Sequence, residues 1–143
     1  MKVALTIERF EPHGAVKRVE LEFARAYPAR GLKRLDRAMS LHARGPDAGC
    51  VVIEDAFAFS GKAPGIEEAF TTWGTVSVRG GVARVRHNGH ALRLRIVEPA
   101  GAAFTVKDVP VMMARATEPS ILRRIACKLP RGADRFVMEA RVL

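Results

Sequence analysis

The chain has 143 residues, 48% of them hydrophobic, with 24 lysines and arginines against 15 acidic side chains for a net charge of +9. That length fits one domain with a real core, and that composition excludes an intrinsically disordered chain. No apolar run reaches the ~18 residues of a membrane span and the early charges at Lys2 and Glu8 are unlike a signal peptide, so the bare chain is expected to be cytoplasmic, or periplasmic or secreted if cut from a longer exported protein. The basic excess, mostly arginine, points to a polyanionic partner: nucleic acid, an acidic polysaccharide or an anionic surface. The two cysteines, Cys50 and Cys127, have no CxxC neighbour, which excludes metal-knuckle and thioredoxin-like readings. Both lie among apolar residues and read as core thiols, with one long-range disulfide as the alternative in an exported protein.

In chain order, apolar and polar residues alternate nearly throughout, the signature of half-buried strands. Val3, Leu5 and Ile7 alternate with Ala4, Thr6 and Glu8. Val19, Leu21 and Phe23 alternate with Glu20, Glu22 and Ala24. Leu35, Arg37, Met39 and Leu41 share one parity, and Val51, Ile53, Asp55, Phe57 and Phe59 share one in the following run. Further runs cover 75–79, 82–86, 91–97, 103–107 and 135–143. Glycine and proline punctuate them at "EPHG", "YPARG", "RGPDAG", "GKAPG", "EPAG" and "PRGAD". Only "PSILRRIACKL" has helical spacing, through Leu122, Ile125, Ala126 and Leu129 with Ser120 as N-cap, and it predicts one short helix. No composition break or internal repeat divides the chain. The expectation is a single all-β domain over 1–143: an antiparallel β-sandwich of about ten strands with at most one short helix.

The most legible local signal is "RVRHNGHALRLR", residues 84–95. Asn88-Gly89 between alternating segments marks a two-residue hairpin turn, which needs positive φ at both central positions. That register sets His87 opposite His90 and Arg84 opposite Arg93, with Arg84, Arg86, Arg93 and Arg95 on one face. Like charges across strands cost stability. Either carboxylates of a neighbouring strand, such as Glu20 and Glu22, neutralise this face, or the guanidiniums await a carboxylate or sulfate that they can grip two-pronged. The paired histidines could chelate a metal, but no third ligand stands nearby in the sequence, and a hairpin rim is the plainer reading.

Asp55 shares the parity of core residues, so a regular strand points its carboxylate inward, where it needs a partner or a metal. A bulge that turns it outward is the alternative. Trp73 can stack on a sugar ring or pack at a rim. Tyr27 is the one phenol available for proton transfer, and His42, His87 and His90 are the histidines that could join it. The sequence carries no Ser-His-Asp, P-loop or HExxH layout and no nucleic-acid-binding motif, so nucleic acid is the least favoured of the anionic partners.

The order of segments in "FARAYPARGLKRLDRAMSLHARGPDAGCVVIEDAFAFSG", "IEEAFTTWGTVSVRGG" and "PSILRRIACKLPRGADRFVMEARV" resembles the C-terminal β-sandwich of heparinase II/III-like proteins over residues 15 to 143. The resemblance implies half of a polysaccharide lyase, in which an α/α toroid packs against the sandwich and uronate-containing chains are cleaved by β-elimination. That reaction needs the uronate carboxylate neutralised, a base for the C5 proton and an acid for the leaving oxygen. In the family the toroid supplies much of this, and some members hold a structural zinc in the sandwich through His and Asp. Asp55 falls where the family has its strand aspartate, while Glu67 and Glu68 stand where a partner histidine is expected. The implied role is an accessory domain that forms one wall of a cleft for an acidic oligosaccharide, inactive alone and without a cofactor. The alternatives are a stand-alone carbohydrate-binding module, or a structural sandwich that pairs with a second copy.

Overall fold

The computed structural model describes residues 5–143, so Val3 and Ala4 of the first alternating run lie outside the described residues. Eleven strands follow one another: β1 (Thr6–Glu11), β2 (Val16–Glu22), β3 (Leu32–His42), β4 (Cys50–Phe59), β5 (Glu67–Thr72), β6 (Thr75–Arg79), β7 (Val82–His87), β8 (His90–Glu98), β9 (Thr105–Val111), β10 (Ser120–Lys128) and β11 (Arg135–Val142). They form an eight-stranded sheet in the order β1-β2-β3-β4-β11-β8-β7-β6 and a three-stranded sheet in the order β5-β10-β9. All pairings are antiparallel, as the alternating pattern requires of a two-layer body. Among the described residues the helical content is one 3₁₀ turn, Ala24–Ala26, and no helix is long and apolar enough to cross a membrane.

The helix expected over "PSILRRIACKL" is a strand, and this expectation is corrected. β10 is the middle strand of the small sheet, bonded to β5 on one side and β9 on the other. Ile121, Ile125, Cys127 and Leu129 share one parity, and the last three enter the core. The helical spacing of Leu122, Ile125, Ala126 and Leu129 arises because Ala126 is buried on the other face, at 4% exposure, so both parities look apolar. Tertiary pairing on both edges outweighs that local pattern.

The small sheet lies over the inner side of β4, β11, β8 and β7. Ala83, Val85, Leu94, Phe104, Ile125, Cys127, Leu129, Phe136 and Met138 meet there. Burying a side chain such as Phe136 or Ile125 stabilises by roughly 1.5–3 kcal/mol. A second, smaller core of Phe23, Ala24 and Leu35 sits beneath the 3₁₀ turn. Three strands cannot roof eight, and the inner side of β1 to β3 stays open: Ile7, Phe10 and Leu41 share the inward rows of the sheet yet remain exposed. Cys50 and Cys127 are free, buried thiols.

Candidate functional site

The hairpin of β7 and β8 forms as its Asn-Gly turn dictates. Asn88 and Gly89 have φ of 48° and 79°, and His87 pairs with His90, Val85 with Leu92 and Arg84 with Arg93. Arg84, Arg86, Arg93 and Arg95 project from the outer face of the large sheet. Arg79 on β6, not singled out by the sequence, joins them because Ser77 of the same parity pairs with Arg84. Across the strands, Arg84, Arg93 and Arg141 occupy one row. Their strands are spaced by ~4.8 Å, so the row is a short ladder of guanidiniums.

Its counter-charges are few. Arg141 donates to Asp47 at 2.8 Å and Arg95 to Glu139 at 2.7 Å. Among the described residues, Arg79, Arg84, Arg86 and Arg93 have no carboxylate within ion-pairing distance. The proposed neutralisers, Glu20 and Glu22, are remote, on β2 beyond β3, β4 and β11. Glu20 is engaged by Arg18 at 2.7 Å, and Glu22 accepts the Ala24 N–H at 2.9 Å. Glu20's carboxyl is held below its ordinary range by the hydrogen bond from Arg18. Neutralisation by those two residues is therefore excluded.

Trp73 lies at the corner of the same region, where the chain passes from β5 of the small sheet to β6 of the large one. Gly74 makes the crossing possible: a Cβ there would stand 2.5 Å from the Arg86 carbonyl oxygen. The indole is 45% exposed, beside the end of β7 and on a turn, not on a flat sheet face.

The candidate proton-transfer residues are not gathered into one site. Tyr27 is exposed just after the 3₁₀ turn, its ring tilted against Phe23 at 5.8 Å between centroids. His42 ends β3, and that strand's eleven residues separate the two by roughly 35 Å of chain. His87 and His90 are exposed at the hairpin tip, on the same end of the sheet as His42 but four and three strand positions away, respectively.

The second charged centre was only partly legible. Asp55 points inward on an unbroken strand, opposite Arg37 of β3 and Phe136 of β11, so the bulge alternative is excluded. It is fully buried. The guanidinium of Arg37 grips it two-pronged, Nε donating to Oδ1 at 2.7 Å and Nη2 to Oδ2 at 2.5 Å. Glu68 reaches the same Nη2 at 3.5 Å from β5, so one cation joins both sheets. The Arg37 guanidinium also lies over the Phe23 ring, 5.5 Å from its centroid. The hydrogen bond to Asp55 raises Arg37 further above its already high range, against the opposing effect of burial. Burial and the nearby charge of Asp55 push Glu68 up to about 8, with Arg37 pulling the other way. Burial and the Asp55 charge thus favour the protonated form of this second carboxyl. Beside it a groove of about 400 Å³ opens past Tyr27, Leu32, Phe57, Phe59 and Ile66.

The zinc that the family resemblance implies does not fit these residues. Both oxygens of Asp55 are already engaged by Arg37, and a zinc needs three or four N, O or S ligands at ~2.0–2.3 Å. Among the described residues no group of three histidine, cysteine or acidic side chains comes together. The signal for Arg37 was present in the sequence: it shares the parity of Leu35 and Met39, which are core-facing, and so lay on the same side as Asp55.

No family model matches the sequence, and no curated protein is significantly similar to it. Solved structures, however, are similar in fold. A heparinase III gene product with methylated lysines superposes with a TM-score of 0.75 at 12% identity, over 97% of this chain and 21% of that one. Heparan sulfate lyase HepC from Pedobacter heparinus gives 0.68 at 8% identity, over 96% and 21%. A further heparinase III structure gives 0.65 at 14% identity, over 99% and 21%. The chain spans about a fifth of the length of these proteins, which fits one domain of a larger molecule. In agreement with the resemblance in its segment order, this chain has the fold of a β-sandwich portion of heparinase III and heparan sulfate lyase structures.

Proposed function

We propose that this chain is the accessory β-sandwich of a heparinase II/III-like polysaccharide lyase, forming one wall of a cleft for an acidic, uronate-containing oligosaccharide. The observation that carries the reading is the arginine row on β7 and β8 with its neighbours Arg79 and Arg86, whose guanidiniums lack carboxylate partners among the described residues. Unpaired guanidiniums cost little in water and bind carboxylate or sulfate two-pronged. Trp73, half-exposed at the corner, adds a face on which a sugar ring can stack. The likeness to a heparan sulfate lyase supports a sulfated or uronate-bearing chain as the ligand class.

Catalysis in this reading belongs to a partner α/α toroid, in the same polypeptide or in trans. The scattered positions of Tyr27, His42, His87 and His90 support that division of labour, since a β-elimination needs base and acid within reach of one sugar. Two measurements test the proposal. Retention of the chain on immobilised heparin should weaken when Arg84, Arg86, Arg93 and Arg95 are changed to serine; unchanged retention would assign the affinity to diffuse charge. With heparan sulfate or alginate the chain alone should produce no rise in unsaturated-uronate absorbance, and robust turnover would refute the accessory role.

A further inference from the structure

Where β3 begins and β4 ends, residues of both sheets border a groove of about 400 Å³. Leu32, Phe57, Phe59 and Ile66 line it half-buried, Tyr27 stands at its exposed end, and Arg37 and Glu68 close its buried end. The geometry points to this groove as a site for a small organic amine, its ammonium against Glu68 and its apolar body against the rings of Tyr27, Phe57 and Phe59. The site is separate from the arginine row of β7 and β8 and depends on no oligosaccharide bound there.

With both carboxyls ionised, the buried end of the groove is one cation short, since Asp55 and Glu68 share the single guanidinium of Arg37. Arg37 holds both oxygens of Asp55 closely, whereas Glu68 Oε2 lies at 3.5 Å, the outer limit of a hydrogen bond. The other oxygen of Glu68, Oε1, accepts no hydrogen bond among the described residues. It is not sealed inside the protein either, so it is open to the groove that Glu68 lines. A carboxyl this deeply buried is costly while one oxygen stands idle. Arg124, the other cation lining the groove, is held by Glu67 at 2.5 Å. The titratable groups facing Glu68 are Arg37 from β3, Asp55 from β4 and the buried thiol of Cys127 from β10, with Tyr27 further along the groove. Among them, burial and Asp55 favour the protonated carboxyl, so a proton serves as the missing charge. An ammonium can replace that proton, because it brings both the charge and the donors. Aromatic ring faces attract cations and also cover an apolar body. A carboxylate ligand would instead add a third negative charge beside Asp55 and Glu68, and an alcohol would bring a donor without the charge.

The probe is phenethylamine, titrated calorimetrically into the full chain, with phenethyl alcohol and hydrocinnamate as partners of the same shape and of neutral or negative charge. At about pH 8.5 the amine should bind one per chain, about tenfold or more tighter than either partner. Diffuse attraction cannot mimic that result, because the chain carries a net charge of +9 and repels cations. Between about pH 8.5 and pH 6 the affinity should fall about tenfold or more, as Glu68 regains its proton. Glu68→Gln keeps the shape of the side chain and should reduce the amine to the affinity of the alcohol and remove the pH dependence. A second readout needs no variant: at about pH 7, amine binding to the wild-type chain should release a proton, seen as a heat that differs between buffers of unlike ionisation enthalpy. The proposal is overturned by no saturable amine binding up to about 20 mM, by equal or tighter binding of the alcohol or of hydrocinnamate, or by binding without proton release. A folded Glu68→Gln chain that still prefers the amine would overturn it as well.

Discussion

Arg37 and the arginines of the β7–β8 hairpin are the same residue type in opposite settings. Arg37 faces the interior, and both carboxylates of its centre turn towards it from two different sheets. Arg84, Arg86 and Arg93 face water, and among the described residues no carboxylate answers them. Between these extremes stands the outer face of β1 to β4, where Arg18 meets Glu20 and Glu54, and Arg34 meets Glu8 and Asp36. The comparison teaches that charge on this protein is sorted by burial: interior charge is matched at short range, whereas unmatched charge stands at the surface, the arginines of the β7–β8 hairpin among it. Net charge alone, +9, conceals that division.

The comparison is broken most severely by removing the interior acid. Asp55→Ala leaves the half-buried Arg37 guanidinium without its principal counter-ion and should cost about 3 kcal/mol in chemical denaturation. A loss under about 1 kcal/mol would mean that Arg37 swings out to water and that the interior centre is no different from the surface.

Next in size is the pH dependence from Glu68, whose carboxyl is raised to about 8 in the folded chain. The unfolded chain releases that proton near 4.5, so between 4.5 and 8 the folded state binds more protons than the unfolded one. Stability from this group is therefore fully present below about pH 4.5, falls as pH rises through the window, and levels off above 8. The drop should be on the order of a few kcal/mol, and Glu68→Gln should flatten it. A wild-type profile as flat as that of the variant would remove the buried proton from the account.

The smallest effects belong to the surface and sharpen the contrast. Arg84→Ser should change stability by less than about 1 kcal/mol, in the stabilising direction, because it relieves the like charge of Arg93 across the strand pair. It should nevertheless lower the salt concentration needed to elute the chain from immobilised heparin. Arg18→Ser, which removes a paired arginine of the same formal charge, should leave that elution nearly unchanged. Equal shifts from the two would make the unmatched flank no more than a share of the total charge.

Much of the fold was legible because strands announce themselves by period two, and the runs at 51–59, 75–79 and 82–86 fall within a residue or two of β4, β6 and β7. The Asn88-Gly89 turn fixed its register outright, since few dipeptides accept positive φ twice. β10 was misread because Leu122 and the buried Ala126 on its outer face break the clean alternation. The centre at Asp55 was half visible. Asp55 stood out as an acid at core parity, but its pairing with Arg37 depends on which strands become neighbours, and its link to Glu68 depends on how two sheets are stacked. Neither is encoded by spacing along the chain. Arg79 was missed for a similar reason, joining the hairpin arginines only when β6 lies beside β7.

The narrowness of the three-stranded sheet gives the molecule two unlike flanks. Under the roof, side chains are enclosed by one another; beyond it, Ile7, Phe10 and Leu41 keep much of their surface in solvent. In the chain on its own, water wraps those oily rows, and the mutual repulsion of its surplus positive charge is what opposes self-association there. Salts that damp this repulsion and also strengthen hydrophobic association, sulfate foremost, push the balance towards self-adhesion through that uncovered flank.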